Sequence, residues 1–192
     1  MKPVTLRTER LVLDVPALAD VDLIAEYCAD PVFEHWMTTP WPYTREHALG
    51  FVNEYVAVGW QQDREFTWAL RPAGSRELLG VVGIRREDDP RWTDGQWNLG
   101  YWMGAPNRGA GLTTEAARAV VDWGFAEGIA PRYRWEAVAG NVGSLAIARR
   151  LGFTFLETTP GRAEGMPAQR SDTWHAELGP DDDREIKPGW PV

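Results

Sequence analysis

Apolar and polar positions follow two periods along this chain, and the switches between them predict its elements. Residues 6–15 set Leu11 and Leu13 against Val12 and Asp14, an alternation that predicts a first strand ended by Pro16. Over 17–29, Leu18, Val21, Ile24, Ala25 and Cys28 recur three and four apart, predicting an amphipathic helix that Asp30-Pro31 stops. Residues 32–44 read as a loop rich in aromatics and proline. Thr44 then reads as an N-cap with Glu46 and His47 in the first turn, and Ala48, Phe51, Val52, Tyr55, Val56 and Gly59 give a second helix. Strand-like runs at 65–71 and 78–85, joined by Pro72-Ala73-Gly74-Ser75, predict a hairpin. A charged turn at 87–95 and a strand at 96–103 complete an antiparallel meander.

The next stretch organises the chain. The strand runs into a glycine-bearing turn, Gly104 to Gly111, and a helix begins near Leu112. Ala116, Ala117, Val120, Val121, Trp123 and Phe125 make that helix mostly buried, and Gly128 ends it. A strand at 132–138, a short helix capped by Asn141 and stopped by Gly152, and strands at 153–159 and 169–178 follow, the last two separated by a loop at 160–168. The expectation is one mixed α/β (α+β) domain over 1–178, with 179–192 as an acidic, poorly ordered tail.

The turn offers an anion site. The first four N–H groups of a helix have no partner within it, and the helix dipole adds partial positive charge. Gly109 and Gly111 let a ligand approach the backbone closely, and a diphosphate fits such an end with Arg108 adding a charged contact. A nucleoside-triphosphate loop is excluded because no Gly-Lys-Ser/Thr is present, and Thr114 stands where a dinucleotide fingerprint needs glycine. A turn that uses glycine only for tightness is the competing reading.

A second motif lies downstream. Arg108-Gly109-Ala110-Gly111-Leu112-Thr113 followed by Glu115-Ala116, then Asn141, Ser144 and Leu151-Gly152-Phe153, resembles the GNAT superfamily of acyl-CoA-dependent N-acetyltransferases. Within it the pattern is most similar to the branch that acetylates the N-termini of ribosomal proteins. The resemblance covers roughly residues 5–178, with specific motifs only between 97 and 153. It implies a mixed, mostly antiparallel seven-stranded sheet flanked by about four helices, with two parallel strands splayed into a cofactor cleft. It further implies acetyl-CoA as cosubstrate, its pantetheine arm beside the strand ending at Trp102 and Met103. The diphosphate would lie on Arg108, Gly109, Ala110, Gly111, Leu112 and Thr113, with Asn141 and Ser144 nearby. The implied reaction is transfer of an acetyl or other short acyl group to a primary amine of a protein N-terminus or small molecule, by direct attack in a ternary complex. A non-catalytic acyl-CoA sensor or scaffold is the alternative.

Acyl transfer to an amine needs a deprotonated nucleophile, oxyanion donors and a proton for the departing thiolate. The amides near Trp102 and Met103 are candidate oxyanion donors. Many relatives carry a tyrosine where this chain has Ala148; the resemblance therefore assigns thiolate protonation to Ser144, and a role in capping the helix competes. For the base, Asn98 stands where relatives often have a carboxylate, so Asp94, Glu136, Glu157, His175 and a water chain remain as candidates. Trp36 and Trp41 either plug the core's edge or face the acceptor.

Composition narrows the partners. The 192 residues carry a net charge of -8, which argues against nucleic acid and favours a cationic acceptor. An anionic cofactor then needs a local basic patch, for which Arg108, Arg149 and Arg150 are available. No apolar run approaches a membrane span, so a cytoplasmic protein, monomer or homodimer, is expected. Cys28 reads as a core residue, and His35, His47 and His175 lack metal-ligand spacing, so no metal is expected.

Overall fold

A computed structural model describes residues 1–86, 95–160 and 172–192. Its strands are β1 Leu6–Arg7, β2 Leu11–Asp14, β3 Glu65–Pro72, β4 Gly80–Arg86, β5 Trp97–Met103, β6 Tyr133–Val138, β7 Thr154–Thr159 and β8 Thr173–Leu178. They form one open sheet of order β1-β2-β3-β4-β5-β6-β8-β7, antiparallel throughout except between β5 and β6. The expected seven strands are eight because the first folds back on itself. The Thr8 amide donates to the Leu11 carbonyl (2.9 Å) and the Leu11 amide to Thr8 Oγ1 (3.0 Å), closing a hairpin of β1 and β2.

The helices are α1 Val21–Cys28, α2 Val32–Trp36, α3 Arg45–Gly50 running through a π-wound stretch, Phe51–Val56, into α4 Ala57–Gln61, then α5 Leu112–Ala126 and α6 Val142–Leu151. Counting α3 to α4 as one, there are five rather than four. The addition, α2, sits in the stretch expected to be loop. Asp30-Pro31 ends α1 and also begins α2: the Val32 amide donates to Asp30 Oδ1 at 3.1 Å, and proline supplies the first-turn φ. Thr44 caps α3 as expected, its Oγ1 accepting from the His47 amide while the Thr44 amide donates to His47 Nδ1.

Two apolar clusters cover the two faces. Alternation puts Phe66, Trp68, Ile84, Trp97, Leu99 and Tyr133 on one face, against Trp60 of α4 and Val120 and Val121 of α5. Trp68 lies edge-on to both Trp60 (5.0 Å between centroids) and Trp123 (5.2 Å), contacts worth about 0.5–1.5 kcal/mol each beyond area burial. The other face carries Ala69 and Val81 under Ile24 and Cys28 of α1 and Ala48 and Val52 above them. Burial pushes the Cys28 thiol up to about 12, so it is an un-ionised core group at neutral pH.

Residues 179–192 pack on the domain, which corrects the expectation of a loose tail. Trp190 lies 5.8 Å from Trp135 and 5.6 Å from Phe155 between centroids, and Arg184 pairs with Asp122 of α5 at 2.9 Å. An apolar anchor and an ion pair hold a segment whose composition reads as polar.

Candidate active site

β5 and β6 are paired only at Trp97↔Tyr133 and Asn98↔Arg134. Beyond that rung β5 stays in register with β4 as far as Met103, while β6 follows β8 as far as Val138. The two strands therefore part. The backbone of a strand points alternately to either side, so the second half of β5 has polar groups facing a gap instead of a neighbour. Trp102 is turned away from it: a Cβ placed on Gly80 of β4 would stand 2.4 Å from the Trp102 carbonyl oxygen. The amide of Trp102 lies with that carbonyl in the β4 ladder, which removes it as an oxyanion donor. The amides of Tyr101 and Met103 face the gap.

The turn after β5 has its helix end open. Gly109 and Gly111 take φ of +85° and +75°, left-handed values that cost most residues about 1–2 kcal/mol. No side chain caps α5. Among the described residues, the N–H groups of Gly109, Ala110, Gly111, Leu112 and Thr113 find no acceptor, and Gly109 to Gly111 are exposed. Glu115 in the first turn is directed elsewhere, accepting from Thr8 Oγ1, from the Arg10 amide (3.0 Å) and from Arg10 Nε (2.6 Å). Although desolvation raises it, those bonds and the Arg10 charge hold its carboxyl below the usual range. Arg10 also donates to the Ala110 carbonyl at 3.0 Å, tying the hairpin to the turn.

The basic patch differs from expectation. Arg108 donates through Nε to the Met103 carbonyl (3.0 Å) and through a terminal nitrogen to Asp30 (2.9 Å), so it braces the turn against β5 and the end of α1. Arg149 donates to the Val192 carbonyl at 3.3 Å. With Arg10 paired to Glu115 and Arg108 to Asp30, the turn amides are, among the described residues, the unpaired source of positive potential there. A groove of about 460 Å³ lined by Thr8, Gly111, Thr114, Glu115, Arg118, Ala119 and Asp122 follows the outer side of α5, away from the splayed strands.

Across the gap stands α6. Asn141 caps it by accepting from the Ser144 amide at 3.1 Å. The Ser144 side chain does not cap: its hydroxyl donates to Tyr101 Oη at 3.1 Å and accepts from Trp135 Nε1 at 3.2 Å. The indole N–H also reaches Tyr101 Oη at 3.0 Å, and the phenol donates to the Ser144 carbonyl at 2.9 Å. Burial pushes the Tyr101 phenol well above its ordinary value, and the bonds from Ser144 and Trp135 only partly offset this. Tyr101 escaped the sequence reading. Its signal was present, because strand alternation puts its hydroxyl on an otherwise apolar face, where it needs partners.

Of the candidate bases, Glu136 of β6 and His175 of β8 are cross-strand neighbours, with Glu136 Oε2 and His175 Nδ1 4.0 Å apart and His175 Nε2 2.8 Å from Thr159 Oγ1. Glu157 is exposed on β7, and Asp94 lies outside the described residues. On the face opposite α5, α2 spans the parting strands. Phe33 meets Trp102 of β5 edge-on at 5.9 Å, and Trp36 reaches Gly140 just after β6, 3.5 Å from where a Cβ would be. Trp41 packs into the second cluster instead. Among the described residues there is no cluster of His, Cys, Asp and Glu able to hold a metal, and no helix long and apolar enough to cross a membrane.

Residues 10–154 match the acetyltransferase (GNAT) domain family. The chain belongs to the GNAT acetyltransferases. Relatives of this GNAT domain include an uncharacterized N-acetyltransferase, p20, of Bacillus licheniformis, 26% identical over 153 residues, covering 78% of this chain and 82% of that protein. A probable N-acetyltransferase of Bacillus subtilis strain 168, YjcK, is 28% identical over 111 residues, covering 58% and 60% respectively. Among solved structures, the ribosomal L7/L12 alpha-N-protein acetyltransferase RimL in complex with coenzyme A superimposes with a TM-score of 0.80 at 18% identity, covering 94% of this chain and all of that one. The microcin C7 self-immunity acetyltransferase MccE in complex with acetyl-CoA and AMP gives 0.74 at 20% identity, covering 90% and 93%. At these identities the structural likeness establishes the GNAT fold.

Proposed function

We propose that this protein transfers an acetyl or other short acyl group from acyl-CoA to a primary amine, by direct attack within a ternary complex. The observation that carries the reading is the conjunction of five partnerless amides at the end of α5 with the gap between β5 and β6 beside them. The first suits a diphosphate and the second an extended chain that hydrogen-bonds to a free strand edge. In this reading Arg108, Gly109, Ala110, Gly111, Leu112 and Thr113 form the phosphate turn, Arg108 acting as its brace. Met103 lines the gap, and Trp102 contributes its indole rather than its amide. Asn141 fixes the start of α6, so that Ser144 presents its hydroxyl to the departing thiolate.

The acceptor side is the face carrying α2. Trp36 and the exposed His35 beside it offer flat, aromatic contact, and the overall charge of -8 favours a cationic amine, as a peptide N-terminus or small molecule. Solved relatives described as acting on ribosomal-protein N-termini support a peptide acceptor. Glu136 is the candidate base whose strand borders the gap, and a base is needed because an α-amine, pKa about 8, is partly protonated at neutral pH. An acyl-CoA donor is in keeping with a cytoplasmic enzyme, as monomer or homodimer.

The test measures binding and turnover separately. Calorimetry with CoA should give saturable binding that Gly111→Val weakens by about tenfold or more, because a β-branched residue is strained at positive φ. Thiol release from acetyl-CoA should appear with at least one amine from a panel of peptides and small amines. Undiminished CoA affinity in Gly111→Val refutes the turn, whereas CoA binding without thiol release for any amine points to the sensor.

A further inference from the structure

We propose that Tyr101 acts through Ser144 as a positioning and proton-relay residue, so that the group serving the departing thiolate is a coupled pair of hydroxyls from β5 and α6. The inference rests on the acyltransferase reading above. Three observations carry it. Tyr101 lies on β5 beyond the last rung shared with β6, Trp135 on β6 just beyond that rung, and Ser144 in the first turn of α6, so the three polar groups bridge the parted strands. Their contacts close a ring: Ser144 Oγ to Tyr101 Oη at 3.1 Å, Trp135 Nε1 to both oxygens at 3.0 and 3.2 Å, and Tyr101 Oη to the Ser144 carbonyl at 2.9 Å. Finally, Ala148 on α6 is fully buried and carries no hydroxyl, while β5 brings a tyrosine hydroxyl to Ser144 from the opposite wall.

This geometry constrains the chemistry. Ser144 alone is a poor acid, and its hydroxyl is already committed to the phenol oxygen. When the hydroxyl rotates to meet the sulfur anion, its hydrogen leaves the Tyr101 oxygen while its own oxygen keeps the indole N–H, and the phenol can turn from the Ser144 carbonyl to Ser144 Oγ. The step balances as two proton transfers. The Ser144 O–H bond breaks as S–H forms, and the Tyr101 O–H bond breaks as the Ser144 O–H bond is restored. Because burial disfavours a free phenolate, the Tyr101 oxygen is reprotonated by water as its proton leaves, the hydroxide left behind is neutralised by the proton that the attacking amine gives up, and the Trp135 N–H stays as donor throughout. A buried phenol whose ionisation is disfavoured also stays protonated, and so remains a donor, throughout the neutral range.

Tyr101→Phe is the informative variant, since it removes one oxygen and leaves Trp135 bonded to Ser144. With acetyl-CoA and an amine that the wild type accepts, kcat should fall by about 30-fold, with the acetyl-CoA KM and the calorimetric CoA affinity within about twofold of wild type. Ser144→Ala should fall comparably, and the double variant should fall little further, because residues acting as one unit are not additive. Rates in mixtures of light and heavy water should bow downward for wild type, as for two protons in flight, and become linear in Tyr101→Phe. The relay is overturned if Tyr101→Phe keeps kcat within about threefold, if CoA affinity falls in parallel with kcat, if the single losses multiply in the double variant, or if the heavy-water dependence is unchanged. A wild type that turns over no amine would refute the acyltransferase reading itself, a result distinct from an active wild type indifferent to Tyr101→Phe.

Discussion

Gly124, inside α5, gives a substitution on which local propensity and tertiary packing disagree in sign. In a helix interior, glycine to alanine should stabilise by about 0.8–1 kcal/mol. Here a Cβ on Gly124 would stand 1.9 Å from Tyr133 Oη and 3.2 Å from its Cζ. Tyr133 is fully buried on β6, its hydroxyl donating to the Val121 carbonyl at 3.3 Å, so it has nowhere to retreat without moving the strand beside the gap. Overpacking of this kind costs about 1–3 kcal/mol, and a displaced hydroxyl left unpaired adds about 1–3 kcal/mol. Packing wins by roughly 3 kcal/mol after the propensity gain is subtracted, which for a chain of this size lowers Tm by about 6–12 °C. Urea unfolding of Gly124→Ala measures this directly. Tyr133→Phe supplies the control, since without the hydroxyl the ring carbon Cζ at 3.2 Å is the nearest Tyr133 atom, a contact that a small shift accommodates. The double variant should then recover at least about 1 kcal/mol relative to the sum of the singles. A Gly124→Ala protein as stable as wild type, or single losses that simply add, would refute the reasoning.

Three further outcomes follow from contacts already described. Glu115→Gln should cost about 1–2 kcal/mol near pH 7, because it removes a charged acceptor for Thr8 and Arg10. Since the folded carboxyl titrates below its unfolded value of about 4.3, that cost should be full above pH 4.3 and shrink as pH falls below it; a cost independent of pH counts against the charge. Gly152→Ala should lower Tm, because φ is +88° and a Cβ would meet the Arg184 backbone at 2.8 Å. Trypsin sensitivity confined to the last residues would show the tail displaced, and unchanged Tm and proteolysis would deny its docking. Arg108→Gln should weaken CoA binding only modestly, by about three- to fivefold, since its head group braces the turn; a loss of several hundredfold would mean that it contacts the phosphates.

What the sequence determined by itself is local. The alternation of Leu11 and Leu13, the Thr44 and Asn141 caps, the glycines at 109, 111 and 152 and the apolar stripe of α5 each depend on neighbours within about four residues, so periodicity and turn chemistry expose them. The glycine turn before α5 was therefore legible as a turn, whereas Ser144 was singled out by the family resemblance. The return of β1 on β2 and the start of α2 were locally signalled by Thr8 and by Asp30-Pro31, but each signal has two readings that local sequence does not separate. What only the tertiary structure decided depends on groups far apart in the chain. Arg108 pairs with Asp30, the Trp102 amide turns toward β4, Trp190 anchors the tail, and Tyr101 meets Ser144 and Trp135. Hydrogen-bond direction and side-chain partnering across a sheet are set by register and by where two strands part, and no window of sequence contains both strands.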